Sequence, residues 1–286
     1  MIDTAPPALA ATAGHPVPER DVDCLQCGAG RVGAYCHACG QHESVADRLT
    51  FRSLWHDFRV RRLNLDRGLG RTLLDVVLRP GYVARAFVEG RRQTYTHPIT
   101  LLFVLYAVYA VVAGLLDEPL QAVMRAQMEA QMPAGDEMTS EMDDVVSVMS
   151  EVVRVLYTYG AYFSVLVILP FAGLLRWLLG DRGRTVAEYA VFAAYVEAAV
   201  VLPSALVLTP LMALTGLSWI GMLSFVLYLV YAVWGVAQFV DDRHPGTLAL
   251  AGLSMTVALV FYFGLFMVAA FSYGIYIAIQ AAHAAG

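Results

Sequence analysis

The sequence contains no lysine; all 19 of its Lys/Arg-type cations are arginine. It has only four cysteines, confined to positions 24 to 39. Any metal or disulfide chemistry of cysteine is therefore confined to one short stretch. No apolar run of membrane-crossing length begins before about Ile99, which excludes a span in the first 98 residues. There is no Gly-rich phosphate loop, no HExxH pattern, and no Ser, His and Asp order that could be placed together. Without such a set no reaction can be assigned, and an enzyme is not expected. The opening stretch, MIDTAPPALAATAGHPVPER, lacks a basic n-region and a continuous apolar core, so no cleavable signal peptide is expected. Its small residues and prolines predict a disordered tail over 1–20.

What is abundant is apolar. The chain of 286 residues is 58% hydrophobic, with a mean hydropathy of +0.59. This excludes an ordinary soluble globule. The expected fold is an all-α membrane protein with about five transmembrane helices, preceded by amphipathic juxtamembrane helices and a small N-terminal four-cysteine zinc ribbon. The spans are expected near 99–116, 153–175, 187–208, 218–239 and 248–272. The last apolar run continues to about Ile279, so the fifth helix is either long and tilted or broken near Gly274. The expected divisions are a tail over 1–20, a ribbon over 21–43, Arg-rich helices over 44–98, a membrane region over 99–279 and a short tail over 280–286.

The net charge of -5 hides an asymmetry. Residues 44–97 hold eleven arginines and five acids; the loop over 117–150 holds eight acids and one arginine. Arg176, Arg182 and Arg184 fall between expected spans two and three, and Arg243 between four and five. Cytoplasmic flanks carry the excess of basic residues. The N-terminus is thus expected in the cytoplasm and the C-terminus on the far side.

CLQCGAGRVGAYCHACGQ spans 24–41 as two C-x2-C pairs, each followed by glycine. Glycine accepts the positive φ that turns backbone amides toward thiolates. In a reducing compartment, Cys24, Cys27, Cys36 and Cys39 are expected as ligands of one tetrahedral structural ion. Zinc is the expected metal; iron in a rubredoxin-like centre and a pair of disulfides are the alternatives. Four cysteines saturate the site, leaving His37 and His42 as bystanders. Asp21 and Asp23 precede the knuckle and only Arg31 lies within it. That is a poor footprint for nucleic acid. Protein contact, or docking on the chain's own basic region, fits better.

LTFRSLWHDFRVRR places Phe51, Leu54, Trp55 and Phe58 on one helical face, with Thr50 as N-cap. Further short helices are expected over 67–78 and 82–89. Such helices can lie in the membrane interface or pack on the bundle, and the two are compatible.

RPGYVARAFVEGRRQTYTHP follows the knuckle and leads into the first span. This order resembles an uncharacterised bacterial family of zinc-ribbon membrane proteins, a domain of unknown function. The matching positions are Cys24, Cys27, Gly28, Cys36, Cys39, Gly40 and Gln41, then Pro80, Gly81, Gly90, Arg91, Arg92, Tyr95 and Pro98. The resemblance covers roughly the first 115 residues. It implies a multi-pass protein of the bacterial inner membrane with a cytoplasmic ribbon, and implies no reaction. In the 90–98 segment, Arg91, Arg92 and Tyr95 suit head-group depth. They serve either as simple anchors or as a lipid head-group site.

Glu197 is the one carboxylate deep in an expected span, on a face with Ala190, Ala193 and Ala194. It is either a functional intramembrane site or a structural acid bonded to a partner such as tyrosine. Met124, Met128, Met132, Met138 and Met142 recur at helical spacing in the acidic loop. They read as apolar stripes of amphipathic helices, with Cu(I) binding as the sharper alternative. The functional expectation is a zinc-ribbon adaptor or regulatory scaffold that meets lipids and a protein partner. The alternative is a permease or lipid-handling protein in which Glu197 functions and the ribbon regulates.

Overall fold

The computed structural model describes residues 23–31, 33–42, 49–61, 68–131, 164–180 and 184–285. The tail over 1–20, the loop from 132 to 150 with Met132, Met138 and Met142, and the stretch 153–163 lie outside the described residues. Every regular element among the described residues is helical; the ribbon contributes only isolated β-bridges.

Helix α1 is Phe51–Arg61. The Thr50 hydroxyl accepts the Ser53 N–H at 3.2 Å, and Ser53 Oγ accepts the Thr50 N–H at 2.9 Å. Helices α2, Leu69–Leu78, and α3, Pro80–Val88, are separated by Arg79 alone. Pro80 occupies the first position of α3, where a missing N–H costs nothing. The helix expected from residue 82 therefore starts two residues earlier. Gly90, at φ +97°, ends α3. The Arg91 N–H reaches back to the Ala86 carbonyl at 2.8 Å, a left-handed terminating turn.

The membrane region follows. Helix α4 is Pro98–Leu115 and α5 is Asp117–Gln131. A short 3₁₀ turn, Ser164–Val167, leads into α6, Ile168–Leu179. Helix α7, Val186–Pro203, passes through a π turn at Ser204–Leu208 into α8, Thr209–Thr215. Helices α9, Leu223–Phe239, and α10, Pro245–Ala285, complete the chain.

Among the described residues, four stretches are long and apolar enough to cross a membrane: Pro98–Leu115, Val186–Thr215, Ser218–Phe239 and Pro245–Tyr276. The expected second span is represented by the shorter apolar helix Val165–Leu179. Two boundaries differ from expectation. The third span does not stop near 208 but runs to Thr215. The Thr209 N–H bonds five residues back to the Ser204 carbonyl, and this wider turn takes up Pro210, which would crowd an ordinary turn. The last helix passes through Gly274 without a break.

Helix α7 is the centre. Every residue from Ala187 to Val201 is buried, with α2, α3, α4, α6 and α9 packed around it. The tightest approach belongs to α3. A Cβ on Gly81 would lie 1.9 Å from the Gly235 carbonyl oxygen of α9. Pro80, Gly81, Val83, Ala84, Ala86 and Phe87 are all buried. Hence α3 is a wedge within the bundle and not a helix resting on its edge. Small residues on both partners make this possible.

The alternation of the helices sorts the charges. The starts of α4 and α7 and the end of α9 share one end of the bundle with the ribbon. There the Thr185 hydroxyl donates to the Leu49 carbonyl, Arg85 pairs with Asp241 at 3.0 Å, and Arg184 with Glu89 at 3.4 Å. At the opposite end α5, with Asp117 and Glu118 in its first turn, packs through Leu120 and Val123 on Met212 and Ile220.

Candidate metal centre and its junction with the bundle

The two C-x2-C pairs fold into two near-identical knuckles. In the first, the Gly28 N–H donates to the Cys24 carbonyl at 2.7 Å and the Cys24 N–H to the Ala29 carbonyl at 2.9 Å. In the second, the Gly40 N–H donates to the Cys36 carbonyl at 2.8 Å and the Cys36 N–H to the Gln41 carbonyl at 2.9 Å. Gly28 and Gly40 have φ of +73° and +74°, as the turn requires. Bridges Asp23–Gly30 and Tyr35–His42 close each loop.

This geometry brings all four sulfurs within 4.8 Å of one another. Cys24 Sγ lies 3.5 Å from Cys39 Sγ, and Cys27 Sγ 3.6 Å from Cys36 Sγ. Thiolates about 2.3 Å from a tetrahedral ion lie ~3.8 Å apart, so the cluster fits a metal ion. None of the four forms a disulfide. The thiols are unequal. The Cys39 amide, aided by that of Ala38, lowers Cys36 to about 6 against the effect of burial. Burial pushes Cys39 up to about 12. A cation among them removes that conflict by favouring the thiolate at every ligand. With four protein ligands such a site is closed to substrate.

The ribbon is fastened to the bundle through Gln26, which sits between Cys24 and Cys27. Its amide nitrogen donates to Thr94 Oγ1 at 2.7 Å, and its amide oxygen accepts the Gln93 N–H at 3.2 Å. The contacted segment, 90–98, is itself a junction. Arg92 is buried, 3.2 Å from the Asp57 carboxylate of α1 and over the Phe87 ring at 5.5 Å. Tyr95 is buried and donates to Asp75 Oδ2 of α2 at 3.1 Å. The Thr96 N–H donates to Thr72 Oγ1 at 2.9 Å, and its carbonyl accepts the Tyr195 hydroxyl of α7 at 2.8 Å. His97 lies between the Phe58 and Phe87 rings.

The three residues expected at a lipid head group are thus separated. Arg92 and Tyr95 turn inward, because the segment closes against α1, α2 and α7. Arg91 alone stays half-exposed, 4.0 Å from Glu89. Burial, with the Asp75 charge beside it, raises Tyr95 to about 12, so it remains a donor. Burial works to raise the Asp75 carboxyl. Hydrogen bonds from Arg79, Tyr95 and Arg71 overcome it and hold the group below its ordinary 3.8.

Glu197 lies apart from this junction, buried in the middle of α7. Tyr106 of α4 donates to Oε1 at 2.7 Å and Tyr228 of α9 to Oε2 at 2.8 Å. Two turns further along α7, Ser204 Oγ meets Ser224 Oγ at 3.0 Å, at the start of the π turn. Glu188 takes a different role. It forms a capping box with Thr185 at the start of α7.

Sequence reasoning singled out the four thiols, which the fold brings together, and Glu197, which it buries. It missed Gln26, Asp57, Asp75, Thr72 and Thr94, which have no spacing signature. It also missed the particular tyrosines, Tyr106 and Tyr228, among 15 in the chain.

The family described as "Protein of unknown function (DUF3667)" matches residues 66–110. That stretch comprises α2, α3, the junction segment and the first part of α4. The chain is similar to this family over the wrapping of α7, not over the ribbon. No curated protein and no solved structure matches the chain.

Proposed function

We propose that the protein is a zinc-ribbon adaptor or regulatory scaffold at the cytoplasmic face of a bacterial inner membrane. The observation that carries this reading is the four-thiol cluster docked through its first knuckle. Gln26 turns that knuckle toward Gln93 and Thr94. The second presents Tyr35, 60% exposed and edge-on to His42. A closed four-sulfur site does no chemistry of its own, and its product is a held surface. Zinc suits this role better than iron because the role needs no redox change. The arginine-rich end of the bundle supports the cytoplasmic orientation, with the C-terminus periplasmic.

The test is co-purification from native membranes at matched levels. Intact protein is compared with the Cys24→Ser/Cys27→Ser/Cys36→Ser/Cys39→Ser variant, with zinc and iron quantified in both. The expected result is loss of zinc together with a stoichiometric partner. Loss of zinc with every partner retained defeats the adaptor reading.

A second reading, a permease or lipid-handling protein, draws on Glu197 and the π turn that follows it, since π turns recur at functional sites. It is the weaker reading, because both carboxylate oxygens already receive tyrosine hydroxyls. Partner binding that survives Glu197→Gln, with no transport defect, removes it.

A further inference from the structure

Helix α2 carries apolar residues on both faces. It buries Val76 with Thr72 and Asp75 against the bundle. It exposes Leu74 and Leu78, at 69% and 62%, one turn apart on its outer face. Arginines flank this face. The side chains of Arg71 and Arg79 are 64% and 48% exposed. Arg79 also covers the half-exposed Tyr82 ring at 5.0 Å, carrying the surface onto the start of α3.

Exposed apolar residues also line the surface of the spans. Along α9, Val226, Val230 and Trp234 are exposed at successive turns. One turn beyond Trp234, Gln238 Oε1 accepts the Tyr82 N–H at 3.2 Å. The exposed apolar strip of α9 therefore ends, through Gln238, beside the start of α3; Tyr82 there, and Leu78 and Leu74 on the outer face of α2, are also exposed. A soluble protein covering the two leucines would have to enter the bilayer to cover the strip on α9. Lipid covers both.

The charge completes the match. Asp75 accepts from Arg79 at 2.9 Å and lies 3.5 Å from Arg71. One carboxylate between two guanidinium groups leaves a net positive charge on two exposed side chains. Guanidinium binds phosphate oxygens by paired N–H donors.

We propose that α2 and the first turn of α3 form an anionic-lipid surface. Leu74, Leu78 and Tyr82 sit among the upper acyl chains, and Arg71 and Arg79 hold the head-group phosphates of the same leaflet. The surface adjoins Tyr95, which bonds Asp75 from beneath, but uses Arg71 and Arg79 in place of Arg91 and Arg92, and is independent of whatever the ribbon binds.

The test uses the full chain in nanodiscs of phosphatidylcholine mixed with phosphatidylglycerol. A photoreactive benzoylphenylalanine replaces Leu78 in one sample and Tyr35 in another. Crosslinking to lipid from position 78 and not from position 35 is expected. No lipid adduct at 78, or adducts to a protein chain instead, overturns the proposal. Arg71→Gln is then added to the position-78 protein; Arg79 and Tyr95 still bond Asp75, so the α2 junction is retained. The ratio of phosphatidylglycerol to phosphatidylcholine adducts is expected to fall about fivefold, as one lost surface cation implies. An unchanged ratio overturns the anionic selectivity.

Discussion

The thiol cluster and the Glu197 cluster are both convergent polar sites, and they differ in what they leave unanswered. At Glu197 the protein supplies acceptor and donors together, with a tyrosine hydroxyl donating to each carboxylate oxygen. At the ribbon it supplies four ligands of one kind, whose sulfurs meet within 4.8 Å. Four thiolates cannot neutralise one another, so for all four to ionise together the site would take a cation from outside. The comparison separates a site built to receive something from one completed by its own side chains. It also explains their placement. A self-completed acid can sit in the middle of a span, whereas a cluster that could take a metal ion from solution stands outside it.

The largest effect expected on this comparison comes from the thiols. Replacing Cys24 and Cys27 by serine removes half the ligands and should abolish metal binding. A ribbon of roughly twenty residues buries too little apolar surface to fold without the ion. Protease cleavage within 24–41 should then become rapid while the bundle, built on α7, stays resistant. Quantified metal and time-resolved proteolysis read both. A ribbon that stays protected without metal breaks the distinction drawn above.

Next in size is Glu197→Ala. It removes the acceptor of the Tyr106 and Tyr228 hydroxyls, at a cost of about 1–3 kcal/mol for each bond lost. Glu197→Gln keeps an acceptor oxygen for one tyrosine and should cost clearly less. Thermal unfolding of the detergent-solubilised chain ranks the two. Equal losses would mean that charge, and not hydrogen bonding, is what the tyrosines serve.

Asp75 gives a smaller, pH-dependent effect. Its folded value is held below 3.8, so its contribution is fully present above 3.8 and disappears as pH falls through the depressed value. Asp75→Asn should weaken the α2 junction by about 1–2 kcal/mol near neutrality. The difference from the parent chain should vanish in acid. Stability curves of the two proteins against pH test this; curves that stay parallel into acid would remove Asp75 as the source.

What was legible in the sequence follows from how local each signal is. The knuckles depend on cysteine and glycine spacing within a few residues, and their geometry was readable down to the sign of φ at Gly28 and Gly40. The spans depend on hydropathy over a whole helix, and four were readable with small errors at their ends. The burial of α3 was not readable, because Gly81 meets Gly235 from a distant part of the chain and neither glycine predicts the other. Arg92 and Tyr95 misled for the same reason. Beside a span, a basic and an aromatic residue have the composition of a head-group site. Only the distant Asp57 and Asp75 turn them inward. The tyrosines of Glu197 come from α4 and α9, too far along the chain for any periodicity to pair them.

The smallest effect is the one at the contact between the ribbon and the bundle. Gln26 contributes no ligand, yet its side chain bonds both Gln93 and Thr94. Gln26→Ala should leave metal content unchanged, because all four thiols and both glycine turns remain. It removes two hydrogen bonds at a partly exposed contact, about 1 kcal/mol in all. The ribbon would then stay folded but undock part of the time. Hydrogen exchange should quicken at the Gln93 amide, which loses its acceptor, and not at the Gly28 and Gly40 amides inside the knuckles. If exchange quickens in both places, metal-bound folding and docking are one event. The ribbon is then an extension of the bundle. If it quickens only at Gln93, the ribbon is a separate body on a single tether, and a partner gripping Tyr35 could pull it from the junction without disturbing its metal.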